Sequence, residues 1–158
     1  MAVAHEHADA VPAVGSLLAP LRLASAPAGA PVELRRWGRE ATVLLRLDAA
    51  DCARCREYLR ELDRHRAELA LWDGRVLVVV PGSLEDAARL KEELGLGLTV
   101  VADPDGRAPL AAARAPAWLV ADRFGQVYQA EEAGAGHRLP EPRELEEWLK
   151  FLATQCPE

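Results

Sequence analysis

Thr42 to Leu47 (Thr-Val-Leu-Leu-Arg-Leu) is a near-continuous apolar run of strand length, and shortly after it Asp51-Cys52-Ala53-Arg54-Cys55 opens a segment of helical period. An apolar run without polar alternation predicts a strand covered on both faces. From about Cys52 to Leu71, Cys55, Tyr58, Leu59, Leu62 and Leu69 recur on one helical face, while Arg56, Arg60, Glu61, Arg64 and Glu68 take the other. Asp73-Gly74 stops the helix, and Arg75 to Val80 follows as the most buried-looking strand. Two cysteines three apart therefore stand at a strand-to-helix junction inside a β-α-β pattern.

The remaining chain extends that pattern in both directions. Residues 1–14 lack an apolar period and predict a mobile tail, and Gly15 to Ser25 reads as an irregular lead-in whose Leu17, Leu18, Leu21 and Leu23 are available to pack. Val32-Glu33-Leu34 alternates as a short edge strand does. Past Pro81-Gly82, Ser83-Leu84-Glu85-Asp86 has the form of a capping box, opening a helix that Gly95 closes. Leu98 to Ala102 predicts a strand, and Leu110 to Ala113 a helical turn. Trp118 to Ala121 and Gln126 to Gln129 flank the turn Asp122-Arg123-Phe124-Gly125, as in a β-hairpin. A last helix from Pro142 carries Leu145, Trp148, Leu149 and Leu152 on one face. The expected class is α/β, a mixed central sheet with helices on both faces, in a single domain over residues 15–158.

A net charge of −6 gives no electrostatic footprint for nucleic acid or an anionic membrane. The longest apolar stretch, Val76 to Val80, is far too short to span a bilayer. The first residues carry His5, Glu6, His7 and Asp9 and have neither the basic nor the apolar region of a secretory signal, so cytoplasm is the expected location. Three cysteines do not make a disulfide scaffold, and the close spacing of two of them points to redox chemistry, metal binding or a structural role in the core.

The thiolate is the reactive form of cysteine, and a helix N-terminus favours an anion by ~0.3–1 kcal/mol through its unpaired N–H groups and dipole. Cys52 would sit at that end, with Cys55 one turn deeper on the same side. The spacing suits an exposed attacking sulfur and a shielded partner able to close a disulfide. Arg54 and Arg56 favour the thiolate and Asp51 opposes it.

With Cys52-Ala53-Arg54-Cys55, Ala102-Asp103-Pro104-Asp105-Gly106 and Arg114-Ala115-Pro116-Ala117-Trp118 in place, the chain resembles the thioredoxin-fold redoxins, the thiol–disulfide oxidoreductase and AhpC/TSA group, from about Gly15 to Ala130. The resemblance implies a thioredoxin-like fold in which Pro116 is cis and faces the dithiol, and in which Ala115 offers its backbone to an extended substrate segment, with Trp118 close enough to touch it. It also exposes departures: Asp51 replaces the usual tryptophan, Ala53-Arg54 the usual Gly-Pro, Ala117 the usual threonine, and Arg46 the buried acid six positions before the first cysteine. Peroxiredoxins of this type carry a proline and a hydroxyl residue where Leu45 and Ala49 stand here, which disfavours a peroxidase.

The expected function is a thiol–disulfide oxidoreductase in which Cys52 attacks and Cys55 resolves, with no cofactor. Its expected partners are a disulfide-bearing protein or small thiol substrate and an external electron donor. A redox-silent thioredoxin-fold adaptor and a weak peroxidase are the alternatives. Two further roles are weighed: a copper site made by Cys52, Cys55 and His137, and Cys156 as a resolving thiol.

Overall fold

A computed structural model describes residues 11–133 and 138–155. Seven strands and four helices follow in the order β1 (Arg22–Ser25), β2 (Ala30–Glu33), β3 (Ala41–Arg46), α1 (Ala53–Arg64), α2 (Arg66–Leu71), β4 (Gly74–Val80), α3 (Leu84–Leu94), β5 (Thr99–Ala102), β6 (Ala117–Ala121), β7 (Val127–Glu132) and α4 (Pro142–Ala153). They form one mixed sheet in the spatial order β2-β1-β5-β4-β3-β6-β7. β3, β4 and β5 run parallel, joined by helical crossovers, and every other pairing is antiparallel. Every residue of β3 is buried, as its apolar run predicts for a strand in the interior of a two-sided sheet.

The side chains of β3 alternate between two apolar clusters. Val43, Leu45 and Leu47 face the first, together with Leu59, Leu62, Leu69, Leu90, Leu145 and Leu149 from the four helices. Leu44 faces the second, formed with Leu18, Leu21, Leu34, Ala108 and Leu110 and lacking any helical residue. Among the described residues the helices thus pack on one face only, which corrects the expectation of helices on both. The reason is topological: successive right-handed crossovers from β3 to β4 to β5 step the same way along the sheet and place α1 and α3 on one side. The return from β5 to β6 crosses the other side, where 108–113 forms turns, with Leu110 at φ 75° instead of a helical turn. Leu110 nonetheless fills the second cluster.

Two further boundaries differ from the sequence reading. The lead-in contains β1, whose register is set by distant partners: Ala24 opposes Ala102 and Leu23 opposes Val32. The long helix divides at His65. Six residues separate Leu62 from Leu69, the next large apolar residue, and in that gap Asp63 Oδ1 accepts the backbone N–H groups of Gly97 and Leu98 at 3.0 and 3.1 Å. The capping box at Ser83 and Asp86 and the left-handed Gly95 cap bound α3 as expected. Val11, in the stretch expected to be mobile, packs on the second cluster, and residues 1–10 lie outside the described residues.

Candidate active site

β3 ends at Arg46 and the chain turns through 47–51 into α1. A backbone bond from Cys52 N–H to Ala49 C=O, 3.2 Å, closes that turn. Cys52 is the N-cap of α1, with φ −63° and ψ 113°, and its Sγ accepts the Cys55 backbone N–H at 3.4 Å. The sulfur thus takes the place that a serine or aspartate oxygen usually holds at a helix start. Cys52 is half-buried and Cys55 only 1% exposed, and both are free thiols. Burial is the main reason that the Cys55 thiol is pushed up to about 12. The Cys52 side chain adds to the rise, and a backbone hydrogen bond from Asp48 works against it. Cys55 is held as a neutral thiol beneath a more accessible sulfur.

Asp51 and Arg54 are exposed beside the pair. Arg56 is directed elsewhere: its Nε donates to Ala50 C=O at 2.9 Å and its Nη1 lies 2.7 Å from Glu93 Oε2 of α3. Its charge thus ties α1 to α3, which sequence spacing alone does not indicate. Arg46 lies on the same face of β3 as Leu44, opposite the helices, and pairs with buried Asp103 at 3.2 Å. Asp103 also accepts the backbone N–H groups of Arg107 and Ala108 at 2.8 and 3.1 Å, so the ion pair fastens the loop after β5.

The second half of the site comes from β6. Arg46 opposes Ala117 in the antiparallel register, so the residues just before β6 lie at the end of the sheet where the dithiol loop leaves β3. The Ala115–Pro116 bond is cis. Alternation along β6 puts Trp118 and Val120 on the helix-bearing face, and Pro116 shares their parity. Ala115 is half-exposed. Trp118 is 2% exposed, paired with Leu45 and locked into the same apolar cluster as Cys55. It is a core residue, and the expectation that it touches substrate is corrected.

The grip on this loop is invisible in the sequence. Glu132 Oε1 accepts the Arg114 backbone N–H at 2.9 Å, and Ala133 N–H donates to Pro116 C=O at 2.8 Å. Tyr58 of α1 donates to Pro140 C=O at 2.7 Å and closes the region below α4. His137 and Cys156 lie outside the described residues, and with them the copper and third-thiol roles. No cluster of metal-ligating side chains occurs among the described residues, and no helix there is long and apolar enough to cross a membrane.

The arrangement superposes on solved redox proteins over most of its length. A bacterioferritin comigratory protein from Xanthomonas campestris, studied for alkyl peroxide reduction, matches with a TM-score of 0.74 and 19% identity over 90% of this chain and 100% of that one. The chain has the thioredoxin-like fold. A protein assigned as the thiol:disulfide interchange protein DsbE from Chlorobium tepidum matches with a TM-score of 0.71 and 22% identity, covering 89% of this chain and 97% of that one. A peroxiredoxin-like protein from Aquifex aeolicus matches at 0.72 and 16% identity over 88% and 86%. Its structural neighbours thus include both thiol–disulfide oxidoreductases and peroxiredoxins. No family model and no curated protein matches the sequence.

Proposed function

We propose that this thioredoxin-fold protein is a thiol–disulfide oxidoreductase working through Cys52 and Cys55. The observation that carries the reading is the pair itself: a half-buried sulfur capping a helix, hydrogen-bonded to the amide of a buried thiol one turn behind it. In the reducing direction the Cys52 thiolate attacks one sulfur of a substrate disulfide. That bond breaks, a Cys52–substrate disulfide forms, and the other substrate sulfur leaves as a thiolate that takes up a proton. Cys55 then loses its proton and attacks Cys52 Sγ, releasing the second substrate thiol and leaving the Cys52–Cys55 disulfide, oxidised by two electrons. A thiol or dithiol donor returns those electrons. Keeping Cys55 protonated, with its pKa near 12, supports this order of events, because the buried thiol is a poor competitor for the first attack.

Ala115 and Pro116 form the docking edge in this reading, and Asp51 and Arg54 flank the pair on the solvent side. One groove, about 960 Å³, is lined by Arg39, Trp72, Phe124 and Tyr128 at the end of the sheet away from the dithiol. With Cys52 half-buried and Asp51 and Arg54 exposed beside it, a protein disulfide or a small disulfide can reach the sulfur from solvent.

Reduction of insulin by dithiothreitol tests the reading. The protein accelerates it, and Cys52→Ser abolishes the acceleration. Cys55→Ser accumulates mixed disulfides visible on a non-reducing gel. An absence of turnover in the wild type points to the redox-silent adaptor instead. Peroxide-dependent thiol oxidation that outpaces insulin reduction points to the peroxidase.

A further inference from the structure

Glu132 ends β7, directly opposite Ala117 in the hairpin register. Its carboxylate reaches across to the backbone N–H of Arg114, while the next residue, Ala133, donates its own N–H to Pro116 C=O. The loop before β6 is thereby pinned on either side of Ala115, and among the described residues no hydrogen bond engages the Ala115 backbone itself. One anchor is backbone and survives any substitution at 133 that keeps the N–H, that is, any but proline. The other depends on a single side chain.

We propose that Glu132 is a positioning residue for substrate, holding the Arg114–Pro116 segment so that the Ala115 backbone is presented to an extended disulfide-bearing polypeptide. The inference rests on the oxidoreductase reading above and deepens it by assigning the substrate class. A polypeptide needs the ordered edge, whereas a small disulfide needs only the sulfur of Cys52. A loop left free to fluctuate must be ordered again when the polypeptide binds, so losing the anchor weakens binding without touching the sulfur chemistry.

Insulin and hydroxyethyl disulfide, each reduced by dithiothreitol, separate these effects. In Glu132→Ala the KM for insulin rises ~3- to 10-fold, the range of one lost hydrogen bond at an exposed position. Its kcat, and turnover of hydroxyethyl disulfide, stay at the wild-type level. Glu132→Gln keeps a side-chain acceptor and restores most of the insulin KM. Amide exchange at Arg114 accelerates in E132A and not in E132Q. Should E132A fail to fold, Glu132→Thr, which suits a strand and is too short to reach Arg114, replaces it. An unchanged insulin KM, or an equal loss toward both disulfides, overturns the proposal and leaves the oxidoreductase reading standing. A wild-type protein inert toward both disulfides overturns that reading and the proposal together.

Discussion

The backbone N–H of Cys55 donates to Cys52 Sγ across 3.4 Å, so the sulfur assigned as nucleophile is also the cap of α1. Stability and chemistry meet in one atom, and serine separates them. A hydroxyl is the better N-cap, so Cys52→Ser holds or raises stability by up to ~1 kcal/mol, while Cys52→Ala falls ~0.5–2 kcal/mol below the serine variant. Both lose disulfide turnover. Urea denaturation alongside insulin reduction reads the two effects; turnover surviving in C52S would show that the nucleophile is misassigned.

Burial of Cys55 has a consequence for alkaline stability. Its folded-state pKa, about 12, lies above the ordinary value of 9.0, so between these values the unfolded chain loses a proton that the folded one keeps. Stability is then undiminished below pH 9 and falls as pH rises toward 12, with a slope approaching ~1.4 kcal/mol per pH unit. Cys55→Ala removes this slope. Denaturation of the reduced protein from pH 8 to 11, compared with C55A, checks it, and parallel curves would refute it.

Iodoacetamide at neutral pH distinguishes the two thiols by access. The half-buried Cys52 reacts in the native protein, whereas Cys55, 1% exposed, reacts only when denaturant is added. Peptide mapping identifies the labelled residue. Equal labelling of both without denaturant would mean that the helix start opens readily.

The Arg46–Asp103 pair predicts an asymmetric response to substitution. Asp103→Ala strands a nearly buried guanidinium and two backbone N–H groups and costs ~3–5 kcal/mol. Arg46→Met leaves Asp103 with both backbone donors and costs less, ~1–2 kcal/mol. Urea denaturation of the two variants measures the difference. Equal losses would mean that the loop amides contribute nothing.

Tyr58 gives a local version of the same argument. Its hydroxyl donates to Pro140 C=O, and burial raises its pKa. Tyr58→Phe costs ~1 kcal/mol and speeds amide exchange around 138–142 while exchange in β3 stays slow. A uniform change across the protein would contradict this local role.

Much of the molecule is legible in the order of residues. The unbroken run at 42–47, the helical period from Cys55 to Leu62, the capping box at Ser83 and the turn at Asp122 each encode an element through local chemistry. The dithiol is equally local, because a helix start and a three-residue spacing suffice to put one sulfur at the cap and the next a turn deeper. Where the chain relies on distant partners, that reading ends. β1 has one strong apolar anchor, Leu23, and exists because β2 and β5 supply its hydrogen bonds.

The sequence by itself determined which residues form the dithiol, which proline precedes the hairpin, and that strands alternate with helices. Only tertiary structure decided that α1 to α4 share one face, that Trp118 belongs to the core, that Arg56 serves α3, and that Arg46 joins Asp103 across the sheet. The reason is physical. Capping and periodicity act over three or four residues and can be read along the chain. Burial, ion pairing and the grip of Glu132 on Arg114 depend on which strands the topology makes neighbours, and their partners lie 18 to 57 positions apart.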